Sequence, residues 1–383
     1  MDQFGFYRVG DARFYSVLEA QLEHARVGLP LRWDFNESVF SSCDWKQEPA
    51  ESLIELYRRR AQQIRDKYDH VVLWFSGGSD STNVLNAFVD NDIKLDEVAS
   101  QINYEATHSR HDWLNGEIFN VAMPKSQQAQ QRQPWLRHTL VDIAQQTVDH
   151  FAQAGTKFDW MYHMNWHFNP NNASKKNIKL SQPHWRDMIA AGKRVAFVHG
   201  MDKPYVLQVK NRFYFRFRQM VDTAVSAYTQ MLNRPWEFDE LFYWSPDLPE
   251  LIIKQAHMVK RRLQSLQAND PFASPVIRMP TGEACTCSVQ VHDQNLYLMP
   301  NGVSQLLYPG WAPALYQFKA PNLIFTPRDQ WFFNLPDSDP AKYAWRIGLE
   351  HLWQSTPDLW KNNPADIMSG FKDMYSRHYD IGF

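Results

Sequence analysis

The run Val71-Val72-Leu73-Trp74-Phe75-Ser76-Gly77-Gly78-Ser79-Asp80-Ser81-Thr82 constrains this chain more than any other stretch. An apolar segment of strand length stops at two glycines and passes directly into residues 79–90, where Val84, Leu85, Phe88 and Val89 recur at helical spacing. Period 2 giving way to period 3.6 predicts a strand, a tight turn and a helix. Glycine admits backbone geometry closed to other residues and lets a ligand approach the main chain. The N–H groups of a first helical turn, at the positive end of the helix dipole, form an anion site. The hydroxyls of Ser76, Ser81 and Thr82 are candidate further donors to phosphate oxygens. Asp80 beside a phosphate calls for an intervening cation. Mg2+ suits, because it binds one or two carboxylates together with substrate phosphates. A Walker A loop is excluded, since no Gly-Lys-Ser/Thr follows the glycines.

Ser-Gly-Gly-x-Asp-Ser after a hydrophobic strand resembles the pyrophosphate loop of the PP-loop (N-type) ATP pyrophosphatases, with matches at Ser76, Gly77, Gly78, Asp80 and Ser81. That superfamily includes asparagine synthetase, GMP synthetase, NAD synthetase, tRNA-lysidine synthetase and the adenylylsulfate reductases. The resemblance implies that ATP is split between its α- and β-phosphates, that a substrate oxygen is adenylated, and that a nucleophile displaces AMP. It also implies ATP bound by Ser76, Gly77, Gly78, Ser79, Asp80, Ser81 and Thr82, with Asp80 a catalytic Mg2+ ligand. Adenine would be held through backbone groups at the end of the next strand, residues 97–103, near Ile102 and Asn103. An amphipathic helix over residues 49–68, with the stripe Leu53, Tyr57, Ala61, Ile64 and Tyr68, leads into the loop strand. This resembles the segment before the same loop in the asparagine synthetase synthase domain. Arg58–Arg60 fall largely outside the stripe. Asp2 follows Met1, so the cysteine that a glutaminase half requires there is missing.

A second chemical stretch is a strand over residues 195–198 ending in His199-Gly200-Met201-Asp202-Lys203. It resembles the later strand of asparagine synthetase-like proteins, whose small-residue turn carries an acidic residue that helps hold Mg2+ and pyrophosphate. Two carboxylates from adjacent strand ends would fix a phosphate-bound Mg2+ that one alone leaves loosely oriented. On this reading Asp80 and Asp202 are the metal ligands. Lys203, with Asp80 the candidate catalytic residue, would neutralise the leaving pyrophosphate. A plain Asp-Lys-Pro turn is the alternative.

Composition bounds the class. With 44% hydrophobic and 21% charged residues over 383 positions, the chain reads as globular. A net charge of −2 gives no global attraction to nucleic acid or an anionic membrane. Three cysteines make no disulfide framework and point to a reducing compartment. No apolar run reaches membrane-span length and no signal-peptide core opens the chain, so a cytoplasmic protein with no membrane partner is expected.

Elsewhere the patterns are weaker. Helices are expected over residues 12–26, 114–123 and 144–154, a strand over 136–142, and a Gln-rich surface loop over 125–134. His163, His167 and His184 invite a metal reading, but the zinc-protease Glu is replaced by Met164, and packed or hydrogen-bonded histidines are the favoured reading. A hairpin over 205–209 and 212–218 alternates Phe213, Phe215 and Phe217 with Arg212, Tyr214, Arg216 and Arg218. This basic face suits a polyanion or a charged sheet edge. A helix over 251–266 adds Lys254, Lys260, Arg261 and Arg262. If these line the substrate path, the co-substrate is anionic. Cys285 and Cys287 allow a sulfur-handling role.

The expected fold is α/β, a Rossmann-like parallel sheet of the adenine nucleotide α-hydrolase type. An extension over 1–50 would precede the ATP-binding unit at 51–205, and a mostly helical substrate portion with hairpins would occupy 206–383. The resemblance implies an ATP- and Mg2+-dependent adenylating ligase that forms a carbon–nitrogen bond on a small-molecule co-substrate. Adenylation of a nucleic acid base for modification or thiolation is the second reading, and an ATP-binding regulator without turnover the third.

Overall fold

The strand–turn–helix unit is present, and the other elements assemble around it. In a computed structural model of the chain the described residues are 5–14, 17–102, 104, 108, 110, 113–142, 182–209, 212–218, 236–269, 276–278, 284–286, 289–292, 295–298, 300–312, 334–339, 343 and 375–383. In chain order they form β1 (Phe6–Val9), β2 (Ala12–Phe14), α1 (Val17–Val27), β3 (Leu31–Asp34), α2 (Glu37–Phe40), α3 (Leu53–Lys67), β4 (His70–Trp74), α4 (Ser79–Val89) and β5 (Glu97–Ile102). Next come α5 (Trp113–Glu117), a π-helical turn (Ile118–Ala122), α6 (Met123–Arg132), β6 (Arg137–Asp142), α7 (Pro183–Ala190), β7 (Val195–His199), β8 (Tyr205–Val209), β9 (Arg212–Arg216) and β10 (Glu237–Leu241). The remainder are α8 (Pro249–Asn269), β11 (Val276–Arg278), β12 (Ala284–Thr286), β13 (Val289–His292), β14 (Asn295–Leu298), α9 (Pro300–Leu307) and β15 (Tyr379–Asp380).

The centre is a five-stranded sheet in the order β10-β7-β4-β5-β6, and every pairing in it is parallel. Both faces are covered, as a parallel sheet requires. One face buries Val71, Leu73, Val98, Ala196 and Val198 in the large core that α3 and α4 share. The other buries Val72, Ala99, Val141, Val195 and Phe197 against Trp185 of α7. The chain runs from β4 outward to β5 and β6, then returns to place β7 on β4's other side. The order therefore reverses between β4 and β7. In open α/β sheets ligands lie outside the carboxyl ends of the strands at such a switch point.

A second, antiparallel sheet has the order β13-β14-β8-β9-β15, and a three-stranded sheet, β2-β1-β3, lies at the N-terminal end of the chain. Phe35 and Phe40 pack in tilted contact with Phe217, and Trp45 stacks with Phe215 and Tyr379, so the N-terminal segment and residues 375–383 pack on the hairpin β8–β9.

Several sequence expectations change here. The central sheet takes its fifth strand, β10, from beyond residue 205, where the ATP-binding unit was expected to end. Its acidic residues hide a strand that tertiary partners make affordable. Arg60 Nη2 lies 2.6 Å from Glu240 Oε2, with side chains 1% and 0% exposed, and Lys67 Nζ lies 2.8 Å from Oε1. Burial works to raise the Glu240 carboxyl, but these two cations outweigh it and hold it below the usual range. Arg60, expected off the apolar stripe of its helix, is thus a buried partner of Glu240. Residues 12–14 form β2 rather than the start of a helix, turning at Gly10, whose φ is +58°. The expected loop at 125–134 is mostly helix α6: Pro124 sits in its first turn, where proline's missing N–H costs nothing, and Pro134 follows its end. The helix expected at 144–154, together with His163, His167 and Cys287, falls outside the described residues. Among the described residues no helix is long and apolar enough to cross a membrane.

Candidate functional site

The switch point brings together the turn after β4 and the turn after β7. Gly77 has φ +80°, and a Cβ there would lie 2.8 Å from Ala122 N of the π-helical turn, so any side chain is excluded twice. Gly78 caps α4 with ordinary φ of −67°, and an added Cβ would meet Ser76 Oγ at 3.3 Å. Gly77 is therefore the conformationally obligatory glycine and Gly78 the one that keeps space open. Ser76 is exposed, its Oγ accepting from Gly78 N at 3.3 Å. The first-turn N–H groups of α4 have no intrahelical carbonyl to bond.

The expected hydroxyl donors divide. Thr82 is 2% exposed and donates to Gly77 O at 3.1 Å, and Ser81 Oγ donates to Gly78 O at 3.3 Å. Ser79 Oγ faces Ser304 Oγ of α9 at 3.3 Å. These three side chains shape the turn from within, which leaves Ser76 as the hydroxyl presented outward. The reason is helical geometry: side chains one turn into a helix can reach back to the carbonyls that precede it.

Asp80 is the centre of the site. Lys203 Nζ donates to both its carboxylate oxygens at 2.6 Å, and Tyr308 Oη donates to Oδ1 at 2.7 Å. Tyr243 Oη donates to the Asp80 backbone oxygen at 2.9 Å and accepts from Asn83 Nδ2 at 3.0 Å. The Tyr243 and Tyr308 rings stack with centroids 5.6 Å apart. Burial first, then the Asp80 charge, pushes the Tyr308 hydroxyl well above its ordinary range, so it stays a donor. The turn after β7 closes directly on this point: a Cβ on Gly200 would lie 3.1 Å from Asp80 C and from Ser81 N.

Asp202 keeps partial solvent access yet lies deep in the molecule. Its carboxyl is raised from the usual range chiefly by desolvation, with the Asp80 charge pushing the same way and Lys203 and Arg218 pulling down. Of the two carboxylates expected to share Mg2+, Asp202 thus feels the charge of Asp80. Among the described residues no group of three or more His, Cys, Asp or Glu could hold a metal. Two carboxylates, a serine hydroxyl and phosphate oxygens are nevertheless a hard-oxygen set of the kind Mg2+ takes. Ile102, 9% exposed, ends β5 inside the core.

The basic elements do not form a track. Arg212 pairs with Asp380 at 3.0 Å, and Lys254 reaches Glu48 at 2.8 Å and Pro49 O at 2.9 Å. Arg261 pairs with Glu48, and Lys260 donates to Ile381 O at 2.8 Å. Arg216 lies over the rings of both Tyr205 and Tyr375, 4.7 and 3.5 Å from their centroids. Arg218 differs: its charge reaches Asp202 and works to lower that carboxyl.

His184, one of the candidate metal histidines, donates instead to the buried Glu97 at 3.0 Å, as the hydrogen-bonded reading expects. Sequence reasoning missed Tyr308, Tyr243 and Ser304, which no local pattern marks. It also missed the pair His199–Asp239, 2.7 Å apart, in which the last residue of β7 reaches diagonally to the middle of β10. No protein-family model matches the chain, and no curated protein matches it either.

Proposed function

We propose that the chain binds ATP across the switch point between β4 and β7 and uses it to adenylate a small anionic co-substrate. The α/β unit would then be of the adenine nucleotide α-hydrolase type, working as the PP-loop resemblance implies. The observation that carries this reading is the convergence of Asp80, Asp202 and Lys203 where the strand order reverses, above the first turn of α4.

The triphosphate would lie over the N-terminal turn of α4, with Gly77 and Gly78 allowing close approach and Ser76 donating a hydroxyl. Asp80 and Asp202 would hold Mg2+, which supplies charge neutralisation to the pyrophosphate when bound. A carboxylate oxygen of the co-substrate attacks the α-phosphorus, pyrophosphate leaves with its charge met by Lys203, and an amine or ammonia then displaces AMP to give a carbon–nitrogen bond. A small co-substrate is favoured over nucleic acid because Arg212, Arg216, Lys254, Lys260 and Arg261 are engaged within the chain. The test is product analysis with ATP, Mg2+ and a panel of carboxylates plus ammonia. AMP and pyrophosphate support the reading. ADP and phosphate, or ATP bound without turnover, reject adenylation and leave a different phosphotransfer or a nucleotide-binding regulator.

A further inference from the structure

Asp80 is gripped by two partners of different kinds. Tyr308 is 2% exposed and follows directly on α9, which is anchored beside it. Ser304 meets Ser79 at 3.3 Å, Leu307 O accepts from Tyr57 Oη at 3.1 Å, and the Tyr308 ring stacks on Tyr243. Gln255 Nε2 in turn donates to Tyr57 Oη at 3.0 Å, so α3, α4, α8 and α9 share one buried polar network. Tyr308 cannot leave Asp80 without undocking α9. Lys203 is held differently. It lies on an extended turn between β7 and β8, its ammonium sits at the end of a flexible four-carbon stem, and its side chain is 17% exposed.

The two grips have different consequences for a cation. Mg2+ bonds carboxylate oxygens at about 2.0–2.1 Å. With Lys203 Nζ 2.6 Å from both oxygens of Asp80, a divalent ion on that carboxylate and the ammonium would be near neighbours, and like charges so close exclude one another. Tyr308 raises no such conflict. It is neutral, it uses one lone pair of Oδ1, and it leaves Oδ2 and a second lone pair for a metal.

We propose that Asp80 exchanges cations as nucleotide binds: the phosphates draw Lys203 away, the divalent ion takes its place, and Tyr308 holds the carboxylate in orientation throughout as a positioning residue. This rests on the ATP reading above. Its consequence is a coupling between the two ligands. The metal alone must displace Lys203 without compensation, whereas nucleotide supplies the ammonium with a new anionic partner, so each ligand tightens the other.

The test uses Mn2+ as the probe, followed by electron paramagnetic resonance, with and without α,β-methylene-ATP. Wild type is expected to bind Mn2+ at least tenfold more tightly with the analogue than without it. Lys203→Met removes the competitor and is expected to bind Mn2+ alone at least tenfold more tightly than wild type, with Lys203→Gln as the second variant should the first fold poorly. Tyr308→Phe is expected to weaken Mn2+ binding in the presence of analogue about 10–100-fold, the usual cost of losing a partner behind a metal ligand. Its Mn2+ spectrum should report altered ligand geometry at an unchanged melting temperature, which a merely structural role would not produce. Unchanged Mn2+ affinity in both Lys203 variants overturns the exchange while leaving ATP binding intact. Unchanged affinity and spectrum in Tyr308→Phe overturn the positioning role. A wild type that binds no analogue at all removes the ATP reading and the exchange with it.

Discussion

The two ends of the same parallel sheet treat charge in opposite ways. At the starting edge of the strands Glu97 is fully buried, and it is surrounded: His70 and His184 at 3.0 Å, Trp185 Nε1 at 2.9 Å, and the Thr139 hydroxyl. Burial works to raise its carboxyl, but the hydrogen bonds from His70, Thr139 and Trp185 outweigh it and hold it at about 2. At the carboxyl edge Asp80 is 31% exposed, and its main charge partner is a flexible lysine. A carboxylate saturated by rigid neighbours adds to stability and has nothing left to offer a ligand. One held by an exchangeable neighbour can take a ligand up. On the function proposed above, activity belongs to one edge and cohesion to the other.

Substitutions at the two edges should therefore have separable effects. Asp80→Asn is expected to lower ATP turnover about a thousandfold, comparable to removing a principal electrostatic group from an active site, with little change in melting temperature. Pyrophosphate release and calorimetry on one preparation check this. A large fall in stability instead would place Asp80 with the cohesive groups. Glu97→Gln is expected to do the reverse, costing about 3 kcal/mol of stability in urea unfolding, because it strips the charge from a buried hydrogen-bonded cluster. Its affinity for nucleotide should stay within twofold of wild type.

Acid should act through the starting edge as well. Glu97 sits at about 2 when folded against an ordinary 4.5, so its contribution is fully present above pH 4.5 and is lost as pH falls toward 2. Between pH 4.5 and pH 3 this amounts to about 2 kcal/mol, at about 1.4 kcal/mol per unit. His138, lowered by burial to about 4 from 6.5, works in the same direction, since the unfolded chain takes up a proton that the folded one refuses. Stability measured from pH 7 down to pH 3 should fall steadily, and Glu97→Gln should flatten the lower part of the curve. A flat wild-type curve would mean that the cluster titrates normally.

The smallest effects belong to the basic strand. Arg212→Ala, which breaks an exposed pair, should change stability by less than about 1 kcal/mol and leave turnover alone. Arg218→Ala should weaken co-substrate use several-fold, about 1 kcal/mol of binding. Equal kinetic effects from the two would show that the strand acts as one surface after all, and would revive a nucleic acid partner.

How far the sequence could be read follows the distance between interacting residues. The loop at 76–82 and its flanking strand and helix were recoverable because their signals are local: an apolar run, a two-glycine turn and a helical stripe. The turn at 200–203 was recoverable for the same reason, though the sequence alone does not show that it closes on Asp80. Strand β10 was hidden because Glu237, Asp239 and Glu240 disguise it, and its acids are matched by groups far away, Glu240 by Arg60 180 residues earlier. Basic residues on β9 and α8 suggested a polyanion surface, but Glu48, Asp380 and the tail carbonyl of Ile381 claim them, and none of these is near in sequence.

The contact between Tyr308 and Asp80 spans 228 residues. On a ribosome adding about 5–20 residues per second, that separation is on the order of ten seconds or more of synthesis. Through that interval the emerging molecule carries the turn at 76–82 with no tyrosine to aim the Asp80 carboxylate. If the tyrosine's role is as proposed, catalysis waits until α9 has been made.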